Sequence, residues 1–321
     1  MPVLIHKGVL RRSLFLNGWH CWKLLNWLMP VPEKLTGLAP AKVNLTLEVG
    51  NKRDDGYHSL VSILQTLSLA DEVTLTPAAS TSIEIVGPFS GGVPADSSNL
   101  VWRALDVLAH LLERGGDTFH IRIVKRIPAA GGVGGGASDA ATALRLLGRC
   151  WPAAEENMIA AAAAAVGSDE SFFLTGGTAL AEGRGERITP LPSLPRHGVV
   201  LFIPPHSLRN KTATVFAAFD RDGRIDAPTV SASLADSLPV NITGADLYNS
   251  FEQVAFDCFP GLAQLWEKIV ARISEPIRLA GAGPTLFWIG PLDRTEQVYE
   301  ATSDLDCAVI PTTTAGSLWK P

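Results

Sequence analysis

From Pro128 to Asp139 the chain reads Pro-Ala-Ala-Gly-Gly-Val-Gly-Gly-Gly-Ala-Ser-Asp, a composition suited to holding phosphate. Glycines lack a Cβ, so their backbone N–H groups can approach a phosphate closely, and a helix starting behind them adds partial positive charge. A glycine run alone is equally a flexible turn; its place between an expected strand and an expected helix favours the phosphate reading. It is not the common P-loop, because no Gly-Lys-Ser/Thr ending follows the glycines. Nor is it a dinucleotide fingerprint, since the spacing is wrong and the run falls deep in the chain. Two charged residues far from it could also do chemistry, Lys42 and Asp169. On its own, a lysine on a strand is usually solvated and an aspartate after Gly-Ser usually caps a helix.

The elements that must position these groups follow from periodicity. From Lys42 to Val49, apolar Val43, Leu45, Leu47 and Val49 alternate with Lys42, Asn44, Thr46 and Glu48. That predicts a half-buried strand with Lys42 and Asn44 on one side. Asp54-Asp55-Gly56 reads as a turn, Leu60–Leu69 as an apolar run and Asp71–Thr76 as a further strand. Ser97, Ser98 and Asn99 start a helix carried by Val101, Ala104, Leu105, Leu108 and Leu112, which Gly115-Gly116 should end. Phe119, Ile121 and Ile123 form a strand running into the glycine segment Pro128–Gly136. Behind that segment, Asp139, Thr142, Arg145 and Arg149 make a polar stripe on an apolar helix. The run Ala160–Ala165 predicts a helix ended by Gly167. Val199–Ile203, Leu286–Ile289 and Cys307–Ile310 read as strands, and Leu262, Leu265, Trp266 and Ile269 as one helix face. Mixed strands and helices in both halves indicate α+β architecture.

Bulk properties exclude several classes. Of 321 residues, 18% are charged and 46% apolar, which fits a folded globular protein. A net charge of -5 argues against nucleic-acid or anionic-membrane binding as the main task. Cys21, Cys150, Cys258 and Cys307 are too scattered for a zinc or redox motif, so they read as reduced, mostly buried residues of a cytoplasmic protein. Residues 1–34 are treated as an extension: an amphipathic appendage, an organelle-targeting segment, or translated upstream sequence with the start at Met29. Its apolar stretch Leu14–Leu28 is broken by Asn17, His20, Lys23 and Asn26, which makes a poor membrane span.

Taken in order, these fragments resemble the GHMP kinase superfamily, which uses a Pro-x-x-x-Gly-Leu-x-Ser-Ser-like phosphate loop. The resemblance runs from about Leu35 to about Pro311. It rests on Ala39-Pro-Ala-Lys-Val-Asn-Leu45, Asp55-Gly-Tyr-His58, the glycine loop, Gly167-Ser-Asp-Glu-Ser-Phe-Phe173, Ala181-Glu-Gly-Arg-Gly-Glu186, Asn249-Ser-Phe-Glu252 and Ala280-Gly-Ala-Gly283. Within the superfamily the chain is most similar to the branch whose substrate carries a cytidine diphosphate group, in the non-mevalonate route of isoprenoid biosynthesis.

The resemblance implies a two-domain fold with the active site in the cleft between the domains. Residues 35–195 would be a ribosomal-protein-S5-domain-2-like ATP-binding domain, residues 196–315 a ferredoxin-like α/β sandwich domain, and 316–321 a tail. It implies phosphorylation by ATP, with Mg2+, of the 2-hydroxyl of a methylerythritol bearing cytidine diphosphate, by a monomer or homodimer that binds neither nucleic acid nor membrane. Asp169 would take or orient the proton of the attacking hydroxyl, and Lys42 would offset charge on the transferred group. ATP would meet Asn99, Leu100, Pro128, Ala129, Ala130, Gly131, Gly132, Val133, Gly134, Gly135, Gly136, Ala137 and Ser138. No metal ligand is assigned beyond Ser138 as a candidate. Tyr57 and Phe216 would sandwich the cytosine, His58 would hydrogen-bond it, Thr212 would accompany Phe216 in a Thr-x-x-x-Phe spacing, and Asn44 would meet the methylerythritol end. Ala130, Ala137, Ala280 and Glu170-Ser171 depart from the family pattern; each lost hydroxyl would weaken a phosphate contact by about 1 kcal/mol. The competing readings are another GHMP kinase acting on mevalonate, homoserine or a sugar, a catalytically silent nucleotide binder, and an RNA-binding module.

Overall fold

The computed structural model describes residues 34–114, 117–129, 131–151, 153–205, 208, 210–223, 225 and 229–317. The expected extension up to residue 33 with its Met29 start, Cys21, the Gly115-Gly116 helix stop, Ala130 and the tail beyond residue 317 lie outside the described residues.

Strand β1 (Leu35–Lys52) turns at Asp54-Asp55-Gly56 into β2 (His58–Pro77) and pairs with it antiparallel along nearly its whole length. The two segments expected at Leu60–Leu69 and Asp71–Thr76 are thus one strand. Different stretches of β2 pair with β4 (Phe119–Val124) and with β5 (Thr178–Gly183). The first sheet runs β3 (Ser82–Val86), β4, β2, β1, β8 (Tyr248–Asn249), with β6 (Arg187–Pro190) added to β5. Helices α1 (Leu100–Leu111), α2 (Gly135–Gly148) and α3 (Glu156–Val166) cover one face, where Val73, Leu75, Ile121 and Ile123 meet Val101, Leu105, Leu108, Leu144 and Trp151. Burying each such side chain contributes roughly 1.5–3 kcal/mol.

Two expected polar surfaces are instead buried. Lys42 and Glu48 on β1 keep 5% and 3% of their surface, because the glycine segment lies against Lys42 and the second half of the chain covers Glu48. The Glu48 carboxylate accepts the N–H groups of Thr229, Val230 and Ser231, where α6 (Val230–Ser237) begins. On α2, Asp139 and Thr142 are buried, Arg145 is half-buried, and only Arg149 of the predicted stripe is exposed.

In the second half, β7 (Gly198–Ile203), β9 (Arg278–Leu279), β10 (Leu286–Gly290) and β11 (Ala308–Thr313) form a sheet in the order β11-β7-β10-β9. With α5 (Lys211–Asp222), α6, α7 (Glu252–Cys258), α8 (Leu262–Ile273) and α9 (Thr295–Thr302) between them, these strands give a ferredoxin-like 4-1-3-2 arrangement. Strand β7 is apolar throughout because both of its faces are covered. Val200 and Phe202 pack under Phe219, Val254 and Ile269 of the helices. Val199 and Leu201 face Ala41, Val43 and Leu45 of β1. We propose that the chain divides between residues 195 and 196, in the link from β6 to β7, with β8 crossing back. The three described cysteines are free but half-buried rather than buried. Among the described residues no helix is long and apolar enough to cross a membrane.

Candidate active site

Strand β4 feeds the glycine segment, and Asp71 of β2 fixes the entry by accepting the N–H groups of Arg126 and Ile127 with one carboxylate oxygen. The segment is then stitched on both sides. Lys42 N–H donates to Val133 O at 3.0 Å, and Thr285 N–H donates to Gly131 O at 3.3 Å. Gly132 and Gly134 have φ of +91° and +77°, a region that favours glycine. A Cβ on Gly134 would lie 2.6 Å from the Phe173 ring and 3.0 Å from Lys42 Cγ. Gly134 caps α2 without any side-chain hydrogen bond, so the first N–H groups of that helix face the segment unclaimed by a cap. Gly135, Gly136, Ala137 and Ser138 are therefore its first helical turn rather than loop. Ser138 is fully buried and its Oγ has no hydrogen-bond partner.

Lys42 reaches this cradle from β1, and Asp169 from the first turn of α4 (Asp169–Thr175). Lys42 Nζ stands 3.6 Å from an Asp169 carboxylate oxygen, with the lysine side chain 6% exposed and the aspartate 49% exposed. The lysine is aimed by Asn44, whose Oδ1 accepts from it at 2.9 Å and whose Nδ2 donates to Ser62 Oγ. Such an arrangement can place one positive charge and one proton acceptor beside a phosphate cradle. Leu100 lies against the start of α2, 3.3 Å from where a Gly136 Cβ would sit. The Asn99 amide is spent locally, capping α1 through Val101 N–H and donating to Pro94 O.

At the other end of β1, the His58 and Phe216 rings are 5.4 Å apart, and Phe216 packs edge-on against Phe251. His58 is oriented by Gly50 O at Nδ1 and by an Asp220 carboxylate oxygen 2.8 Å from Nε2. Tyr57 is 56% exposed, with the Arg184 guanidinium carbon 4.9 Å over its ring. Thr212 is exposed on the first turn of α5.

Sequence reasoning missed several groups around this site. Lys125, buried beneath the cradle, pairs with both Asp71 and Asp139. Burial, opposed by the Lys125 ammonium and aided by the Asp71 charge, pushes the Asp139 carboxyl well above the usual carboxylate range. Asn249 grips the Ala280–Gly283 turn by donating to Leu279 O and Gly281 O. Lys211 donates to Gly283 O in the same turn. Asn249 and Asp139 stood in fragments already singled out, without a role, while Lys125 and Lys211 were signalled only by their charge. No group of three or more His, Cys, Asp or Glu able to hold a metal occurs among the described residues.

Glu170, next to the candidate base, is 3% exposed, and burial pushes its carboxyl from 4.5 up to about 7. The folded state therefore holds a proton that the unfolded state releases between those values, so this residue makes stability fall as pH rises from 4.5 to about 7. Replacing Glu170 by Gln is expected to add about 1–3 kcal/mol at pH 8 and almost nothing at pH 4. Urea melts at both pH values check this; equal changes at the two would reject it.

Comparison with known proteins adds the following. The GHMP kinases N terminal domain matches residues 99–177. A 4-diphosphocytidyl-2-C-methyl-D-erythritol kinase of Dehalococcoides mccartyi is 38% identical over 255 residues, spanning 79% of this chain and 88% of the relative. One of Saccharopolyspora erythraea is 37% identical over 264 residues, spanning 79% and 82%. A crystal structure of 4-(cytidine 5'-diphospho)-2C-methyl-D-erythritol kinase aligns with a TM-score of 0.72 at 30% identity, over 88% of this chain and 100% of that one. The mevalonate kinase of L. major, at 15% identity and a TM-score of 0.66 over 90% and 98% of the two chains, shares the fold.

Proposed function

Because the chain belongs to the family of 4-diphosphocytidyl-2-C-methyl-D-erythritol kinases, within the GHMP kinases, we infer that it transfers the terminal phosphoryl group of ATP to the 2-hydroxyl of 4-diphosphocytidyl-2-C-methyl-D-erythritol. The products are ADP and the 2-phosphate, an intermediate of the non-mevalonate route to isoprenoid precursors. The observation that carries the reading is the Lys42–Asp169 pair, 3.6 Å apart and beside a glycine cradle fastened to Lys42 itself.

The substrate oxygen attacks the terminal phosphorus as its proton passes to the Asp169 carboxylate. The bond from phosphorus to the β–γ bridging oxygen breaks, and ADP leaves. A loose transition state needs alignment and charge compensation more than covalent help, which a backbone cradle and Lys42 can supply. A Cβ at Gly132 would strike Ala280 O and one at Gly134 the Phe173 ring, so glycine at both positions lets the segment keep the shape in which its N–H groups can meet a triphosphate. Mg2+ bound with ATP would neutralise phosphate charge, and Ser138, with its orphaned buried Oγ, fits as the residue that holds it. Asn44 keeps Lys42 aimed, and its carbonyl retains a second lone pair for the methylerythritol end. Tyr57, Phe216 and the fixed imidazole of His58 suit a flat ring with a polar edge, with Thr212 beside them. The acidic balance and scattered cysteines support a cytoplasmic enzyme.

Purified protein with ATP and magnesium is expected to release ADP on addition of the cytidylyl compound and none on addition of mevalonate, homoserine or galactose. The opposite preference would overturn the substrate. Replacing Tyr57 by Ala is expected to raise the KM for the cytidylyl compound about tenfold at nearly constant kcat, since stacking binds ground and transition states alike. Steady-state kinetics read both values, and a change confined to kcat would remove Tyr57 from the binding site.

A further inference from the structure

Lys211 opens helix α5, in the second half of the chain, yet its half-buried amine reaches the same site from the other side. It donates to Gly283 O, and that carbonyl lies 3.1 Å from where a Gly132 Cβ would be, so the ammonium is tethered at the back of the cradle. Lys42 stands on the near side, its Nζ 3.7 Å from where a Gly281 Cβ would sit in the same turn. Two lysines thus converge on one turn and one glycine segment, with the Asp169 carboxylate 3.6 Å from Lys42 and near enough to Lys211 to attract its charge. Burial and then repulsion from Lys42, against attraction by Asp169, lower the Lys211 amine to about 7. The groups facing it are Lys42 from β1, Asp169 from α4 and the Gly283 carbonyl; Asp220 and Asp222 lie at the far end of its own helix.

A tether alone does not call for a charge here. An amide or hydroxyl could hold α5 to a carbonyl without the cost of crowding a second ammonium toward Lys42. An incoming phosphoryl group reverses that repulsion, because its oxygens can be shared by both lysines, and it favours the protonated form of Lys211. Lysine suits this task as a compact charge on a flexible stem.

We propose that Lys211 is a further catalytic residue of the phosphotransfer inferred above, its ammonium leaving Gly283 O for a non-bridging oxygen of the transferring phosphoryl group, opposite Lys42. The proposal rests on that phosphotransfer reading. No covalent bond to Lys211 forms, and its proton stays on nitrogen throughout.

Two measurements test it. Calorimetry with the magnesium complex of AMP-PNP at pH 8, in two buffers of different ionisation heat, is expected to show uptake of about one proton by the wild type, and close to none by Lys211→Met or Lys211→Gln. Kinetics of both variants, after thermal melts confirm folding, are expected to show kcat down about a hundredfold with the KM for the cytidylyl compound within about threefold. The idea is overturned by equal proton uptake in wild type and variants, by absence of uptake in the wild type, or by kcat within threefold of wild type. It is also overturned if the loss sits only in the KM for the cytidylyl compound, which would put Lys211 on the diphosphate of that substrate. If the wild type releases no ADP with the cytidylyl compound, the inferred activity fails, and proton uptake still decides where Lys211 acts.

Discussion

Replacement of Asp169 by Asn is expected to lower kcat about a thousandfold while leaving the KM for ATP within about twofold. Asparagine has nearly the same shape and can still open helix α4, so the change removes charge and proton acceptance rather than structure. Asp169 is half exposed and its partner Lys42 is not, which puts the carboxylate on the side open to an arriving hydroxyl. Without it the hydroxyl keeps its proton as it attacks, and Lys42 keeps an unbalanced charge that holds ATP at least as well. Initial rates of ADP release at saturating substrate, with melts to confirm folding, make the measurement. A variant retaining more than a tenth of wild-type turnover would show that another group accepts the proton.

Gly132→Ala is expected to weaken ATP binding at least a hundredfold and to lower the melting temperature by several degrees. Two separate costs arise. The backbone at φ +91° is strained for any residue with a Cβ, and that Cβ would stand 2.4 Å from Ala280 O, a backbone atom that cannot swing aside. Relief requires the glycine segment to move off the 280–285 turn, which breaks its hydrogen bond from Thr285 to Gly131 and misdirects the N–H groups meant for phosphate. Gly91→Ala serves as control, since a Cβ there meets nothing within 4 Å. Calorimetric titration of ATP into both variants reads the difference, and parity between them would count against the cradle.

What could be read from the sequence was whatever depends on neighbours along the chain. Asn99 does cap α1, Gly167 does end α3, and the face of α8 bearing Leu262 and Ile269 is the buried one. The glycine segment does lie between strand and helix, and Lys42 and Asp169 do meet across more than a hundred residues. The family pattern carried that last pairing; periodicity alone could not.

Illegible were features created by tertiary covering. Alternation along β1 implied an open polar face, because nothing local announces that α6 will lay its first N–H groups over Glu48. The Asp71–Lys125–Asp139 cluster joins β2, the residue just past β4 and α2, which lie apart along the chain. The break expected after Leu69 never occurs, since one long strand serves β4 with one end and β5 with the other.

The short crossing strand β8 has a mechanical consequence. Ser250 N–H donates to Leu47 O, Asn249 ties β8 to the 279–281 backbone, and the apolar layer under β1 is made from both halves of the chain. A molecule riveted along that line has no door hinge, so swinging its lobes apart would tear a shared interior. Motion of the two halves as rigid bodies would therefore cost the burial of that shared layer.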